Sequence, residues 1–173
     1  MNLRILFICV SLALPFWSLS SQAAETEQRP APHCALTTFT DKQSLDLKQF
    51  KGQVVYVDFW ASWCGPCIKS FPFMNSLDHD LKEQGLQVIG VNLDENVDEA
   101  KLFLEQTPAS FTIATDTEER CAKSFGVKAM PSSYLIDRNG VIRHLHLGFR
   151  PGEAQEFRAL VEKLLAESKQ AGK

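Results

Sequence analysis

Residues 54–60 read Val-Val-Tyr-Val-Asp-Phe-Trp, and after Ala61-Ser62-Trp63 comes Cys64-Gly65-Pro66-Cys67. A nearly continuous β-branched and aromatic run is a strand covered on both faces. Beyond the cysteines, Ile68, Phe71, Met74, Leu77 and Leu81 recur at intervals of three and four. That spacing predicts a helix ending near Gly85, with a kink at Pro72. A doubly covered strand that runs straight into a helix is the unit of an α/β fold. The rest of the chain then has to supply neighbouring strands and helices for both faces of a sheet.

It does so in alternation. Residues 35–39 predict a strand, 46–50 a short helix closed by Gly52, 86–93 a strand, 97–106 a helix, 111–114 a strand and 117–125 a helix stopped by Gly126. Two further strands, 132–136 and 141–147, are joined through Asp137-Arg138-Asn139-Gly140, whose Asn-Gly pair favours a hairpin, and 151–167 predict a final helix. The fold class is α/β: a central mixed sheet flanked by helices, with an N-terminal extension. At 173 residues, 45% of them hydrophobic and 23% charged, the chain suits one domain. The expected domain spans 33–167, followed by a frayed tail at 168–173.

Ahead of the domain, 24–32 is polar and contains Pro30 and Pro32, which predicts a flexible leader. Residues 1–23 combine Arg4, an apolar run from Ile5 to Leu19 and small residues at Ser21 and Ala23, the pattern of a cleavable signal peptide. The alternative is an uncleaved anchor facing the periplasm. Against it, the run is shorter than the ~20 residues of a spanning helix and contains Pro15. The net charge of -3 lacks the basic footprint of a nucleic-acid binder.

Two cysteines at the head of a helix can close a small disulfide ring. The unpaired N–H groups and positive end of the helix also stabilise a thiolate. In such motifs the thiol pKa falls from ~8.5 toward ~7 or below. Cys64, nearer the N-terminus, is the expected attacking sulfur. Cys67, one turn further in, is expected to be more buried and to resolve the mixed disulfide that Cys64 forms. Zinc takes about four ligands, whereas Cys34 and Cys121 stand alone and the nearest histidine, His79, is twelve residues past Cys67. Haem attachment would need histidine where Ile68 stands. Neither a metal nor a cofactor is expected, since the thiols suffice for the chemistry.

The segment VDFWASWCGPC resembles the active-site strand and turn of thioredoxin. From about Pro32 to Ala166 the chain is similar to the secreted TlpA-like branch of the thioredoxin superfamily, disulfide reductases related to those that reduce apocytochrome c. The later FGVKAMPSSYLID, followed by RNG, belongs to the same likeness. The resemblance implies a thioredoxin fold and a thiol-disulfide oxidoreductase. It also implies that Pro131 is a cis-proline beside the redox pair, where the preceding backbone pairs with an extended substrate. Met130 then lends backbone groups and an adaptable side chain to the groove, together with Trp63, Gly65 and Pro66 around the exposed sulfur. Asp58, six residues before Cys64, matches a buried carboxylate that handles the proton of the second cysteine.

By the same likeness, a Gly-Pro spacer points to a reductant, thioredoxin lying near about -270 mV. The implied partners are disulfide-containing secreted or envelope proteins and a membrane-embedded dithiol electron donor; the signal segment predicts a periplasmic location, and a monomer is expected. One departure stands out: Ser70 occupies a position where members devoted to apocytochrome reduction often carry an acid. A thiol oxidase or isomerase uses the same chemistry. A non-enzymatic binding module would use only the groove, and an intact CGPC speaks against that. The Thr-x-x-Cys pattern of a peroxidase is absent.

After removal of the signal segment four cysteines allow three pairings. The CGPC sulfurs are placed to bond each other, which leaves Cys34 with Cys121 as a structural disulfide suited to an exported protein. Two separate buried thiols are the alternative. His144 and His146 alternate with Leu145 and Leu147 and read as a solvent-facing row. Asp94-Glu95-Asn96, with Asp98 and Glu99, reads as an exposed helix start, and Glu153 as part of the wet face of the last helix.

Overall fold

In the computed structural model, which describes residues 28–150 and 152–170, the run of residues 54–60 lies inside an eight-stranded mixed sheet. The strands in chain order are β1 (Arg29–Pro30), β2 (Ala35–Thr38), β3 (Ser44–Asp46), β4 (Val54–Trp60), β5 (Leu86–Asn92), β6 (Thr112–Thr115), β7 (Ser132–Ile136) and β8 (Val141–Leu147). The helices are α1 (Cys67–Leu81), α2 (Val97–Gln106), α3 (Arg120–Phe125) and α4 (Ala154–Gln170). The spatial order is β1-β8-β7-β4-β5-β6-β2-β3. Parallel pairing joins β4 to β5 and β5 to β6, each pair requiring a crossover that α1 and α2 supply.

Alternation along β4 explains why all its residues are buried. Val54, Tyr56 and Trp60 enter a core shared with α1, α2 and α4, while Val55, Val57 and Phe59 enter a second core shared with α3. At the end of β4 the Trp60 ring lies 5.0 Å from Phe71 and 4.8 Å from Phe103. Gly90 on β5 permits that packing. A Cβ there would meet Phe111 Cε2 at 2.9 Å and Trp60 Nε1 at 3.1 Å.

Several elements differ from the sequence reading. Arg29–Pro30, within the stretch read as a flexible leader, pairs antiparallel with β8. A sheet edge accepts proline because its missing N–H can face outward. The Arg29 guanidinium also donates to the Phe125 carbonyl at 2.7 Å. Residues 44–46 form an additional strand against β2. Helix α3 starts at Arg120 because residues 117–119 make a turn over Asp116, whose carboxylate accepts from the Ala122 N–H at 2.9 Å. Helix α4 continues to Gln170, so 168–170 are helical. The signal segment 1–23 and the end of the tail, 171–173, lie outside the described residues.

His144 and His146 are half-buried, and α4 is the reason. The His146 ring sits edge-on 3.9 Å from the Phe157 ring, and its Nε2 is 3.1 Å from Glu153 Oε2. Glu153 is accordingly half-buried too. Burial, partly offset by Glu153, holds His146 below the usual histidine range.

Candidate active site

The exit of β4, a tight turn and the first residue of α1 assemble the sulfur site. Cys64 and Cys67 form a disulfide with Cα atoms 5.4 Å apart. The Cys64 N–H donates to the Ala61 carbonyl at 3.1 Å and the Cys67 N–H to the Cys64 carbonyl at 3.0 Å. Cys67 is thus the first helical residue rather than one turn in, and Cys64 lies in the turn ahead of the helix. Pro66 at the cap position has no side-chain hydrogen bond to the helix start, leaving its first-turn N–H groups to the turn that holds the sulfurs. Cys64 is 4% exposed and Cys67 0%. Around them Trp63 is 70% exposed and Ile68 51%, and Gly65 and Pro66 are exposed as well.

A buried carboxylate that the sequence reading took for an exposed helix start anchors this loop. Asp94 accepts from the Ser62 N–H at 2.9 Å, from Ser62 Oγ at 3.0 Å and from Asn92 Nδ2 at 2.7 Å. The cap of α2 is Asn96, whose side chain accepts from the Asp98 N–H at 3.1 Å. Acids before a helix usually signal its N-terminus. Here Asp94 lies further upstream and ties residue 62 to the end of β5.

The peptide between Met130 and Pro131 is cis. Met130 packs against both cores, one of which contains Cys64 and Cys67. The Gly148 N–H donates to the Pro131 carbonyl at 2.8 Å, continuing the β7–β8 pairing beyond the strand ends.

Asp58 alternates with Tyr56 and Trp60, so it faces the core that holds the sulfur pair. Burial pushes its carboxyl up to about 7, and a hydrogen bond from Ser133 pulls the other way. Burial, and next the neighbouring Asp58, push the Tyr56 phenol up. Ser133 Oγ donates to Asp58 Oδ1 at 2.5 Å. Nothing in the sequence pattern singled out Ser133. Only the β4–β7 register, which sets it opposite Asp58, reveals it. Ser70 is buried, and its hydroxyl donates to the Cys67 carbonyl at 3.0 Å.

In the second core Cys34 and Cys121 form a disulfide with Cα atoms 5.1 Å apart, joining the segment before β2 to α3. Among the described residues no cluster of three or more His, Cys, Asp or Glu side chains is placed to hold a metal ion.

A family model described as Redoxin matches residues 26–164. The chain belongs to the Redoxin family. Within it, this Redoxin chain is a TlpA-like protein of the thioredoxin superfamily. It is similar to the thiol-disulfide oxidoreductase ResA of Bacillus thuringiensis strain Al Hakam, with 31% identity over 156 residues, 88% of this chain and 90% of the relative. ResA of Bacillus thuringiensis subsp. konkukian is 37% identical over 114 residues, 66% of this chain. That second match spans 65% of the relative's length.

A crystal structure from Chlorobium tepidum, provisionally assigned as a thiol:disulfide interchange protein DsbE, superposes with a TM-score of 0.77 at 42% identity, covering 83% of this chain and 99% of that one. With its adjacent cysteine pair and these relatives, the Redoxin chain is a thiol-disulfide oxidoreductase. Among the described residues no helix is long and apolar enough to cross a membrane.

Proposed function

We propose that the protein is exported by a cleaved segment at 1–23 and reduces disulfides of secreted or envelope proteins in the periplasm, as a monomer. The observation that carries this reading is one constellation: a disulfide at the head of α1, the exposed Trp63 beside it, the cis Met130–Pro131 loop, and the buried Asp58 on the same core.

In the reduced enzyme the Cys64 thiolate attacks a substrate sulfur. The substrate S–S bond breaks, and its first thiolate leaves and takes a proton from water. Asp58 then accepts the proton of Cys67, whose thiolate attacks the Cys64 sulfur and expels the second substrate thiolate. The substrate gains two electrons and the enzyme ends in the Cys64–Cys67 disulfide. A dithiol donor must restore the pair, and outside the cytoplasm that donor is membrane-embedded.

The place of Cys64 in the turn ahead of α1, next to the exposed Trp63, supports its role as attacker. An extended polypeptide substrate would lie along Trp63, Gly65, Pro66, Met130 and Pro131, where the turn residues are exposed and the peptide before Pro131 is cis, and would pair strand-like with the backbone there. The test is Cys67→Ser. This variant should accumulate mixed disulfides through Cys64, and mass spectrometry should identify exported proteins as the trapped clients. A reduction potential near the oxidising end, about -120 mV, would overturn the reductive direction, and trapping through Cys67 in Cys64→Ser would reverse the two roles.

A further inference from the structure

The carboxylate of Asp58 is held unevenly. Its Oδ1 accepts from Ser133 Oγ at 2.5 Å, while Oδ2, also buried, has no hydrogen-bond partner among the described residues. Register produces the pairing, since Asp58 and Ser133 stand opposite each other across the antiparallel β4–β7 pair, where facing side chains are neighbours. Ser133 is 4% exposed and Asp58 0%, so water does not compete freely for either. A serine hydroxyl has a single proton to donate. Given to Oδ1, it leaves the second oxygen as the bare acceptor.

We propose that Ser133 is a positioning residue for the resolving step, engaging Asp58 Oδ1 so that Oδ2 is the atom that takes the Cys67 proton. The inference rests on the role of Asp58 proposed above. In that step the Cys67 S–H bond breaks and an Oδ2–H bond forms. The electron pair left on sulfur makes the bond to the Cys64 sulfur, and the substrate sulfur leaves with its former bonding pair. When the donor dithiol reduces the enzyme again, the proton returns from Oδ2 to Cys67. The Ser133 bond favours the ionised form of the carboxylate, opposing the effect of burial.

The groups around Asp58 are few. On β4 there is Tyr56, whose phenol stays protonated. On β5 the facing residue is Gly90. Helix α1 brings Cys67 to the same core, and α4 brings the apolar Phe157, Val161, Leu164 and Leu165. On β8, the residue opposite Ser133 is His146, whose Nε2 is engaged by Glu153, itself bonded to Arg150.

The test separates attack from resolution. Protein reduced only at Cys64–Cys67 is mixed with 5,5′-dithiobis(2-nitrobenzoate) in a stopped-flow instrument. The first equivalent of released thiolate reports attack by Cys64 and the second reports resolution by Cys67. Ser133→Ala should slow the second phase about tenfold at pH 6 and move its acid limb to higher pH, leaving the first phase unchanged. Ser133→Thr, which keeps the hydroxyl, should restore the wild-type profile.

A Ser133→Ala profile superposable on wild type, or a Ser133→Thr variant as slow as Ser133→Ala, overturns the inference while a slow Asp58→Asn second phase leaves the Asp58 role standing. An unaffected Asp58→Asn second phase overturns both. Should Ser133→Ala fail to fold, the infrared C=O stretch of protonated Asp58 in the wild type decides. A low stretch, as for a carbonyl oxygen that accepts a hydrogen bond, supports the assignment, and a free-carbonyl position overturns it.

Discussion

The two disulfides are the same bond set in two different frames. Cys64–Cys67 spans three residues and Cys34–Cys121 spans 87. Burial of the cysteines does not distinguish them, because exposures of 4% and 0% in one pair and 2% and 3% in the other are nearly equal. Their surroundings do. The short pair lies between the exit of β4 and the start of α1, with Trp63 and Ile68 exposed on either side and a titratable carboxylate on the same core. The long pair lies in the other core and fastens the segment before β2 to α3. Whether a buried disulfide exchanges or holds thus depends on what lies next to it and how much chain it closes.

The comparison breaks if either pair does the other's work. Cys64→Ser should abolish protein-disulfide reduction, measured with an insulin turbidity assay, whereas the Cys34→Ser, Cys121→Ser double variant should retain turnover below its melting temperature. That is the largest effect expected. Next, removing the long disulfide should cost about 4–5 kcal/mol of unfolding free energy in denaturant titration, against about 2 kcal/mol for the short one, since loop-closure entropy grows with the closed length. Equal losses would mean that span does not govern their contributions.

Asp58 adds a pH dependence belonging to the short pair alone. Its carboxyl is raised to about 7 in the folded chain, so folded and unfolded states are both protonated below about pH 4. Between there and 7 the unfolded carboxyl ionises first, and stability falls as pH rises. The loss is complete above 7 and amounts to on the order of 4 kcal/mol. Asp58→Asn should flatten this slope, as followed by thermal unfolding across pH, and removal of Cys34–Cys121 should leave it intact. The smallest effect belongs to Trp63→Ala. An exposed side chain makes it nearly neutral for stability, within about 0.5 kcal/mol, while KM for a polypeptide disulfide should rise.

The route from residue 54 to residue 81 was legible because its signals are local. A doubly apolar run, a two-cysteine turn and a helical spacing follow one another without interruption. The cis loop was legible through resemblance, carried by Ala129-Met130-Pro131 in its wider segment. What escaped depends on partners far along the chain. Asp94 looked like a helix-start acid because its bond to Ser62 crosses 32 positions, and Ser133 looked like an ordinary strand residue because Asp58 is 75 positions away. His146 looked wet because its alternation with leucine says nothing about Phe157 packing over it. Arg29–Pro30 looked loose because proline argues against a strand everywhere except at an edge.

The long disulfide also determines how the molecule responds to cutting. Asp58, Ser62, Cys64, Cys67 and Asp94 all lie inside the loop it closes, whereas Pro131 and Ser133 lie outside. A single peptide-bond break anywhere between Cys34 and Cys121 leaves both fragments covalently joined, with the sulfur turn and its anchoring acid still tethered to the half that carries the cis-proline. One break between Cys121 and Pro131 severs that connection. Under limited proteolysis, the first kind of nick yields a two-chain molecule and the second yields two separable pieces.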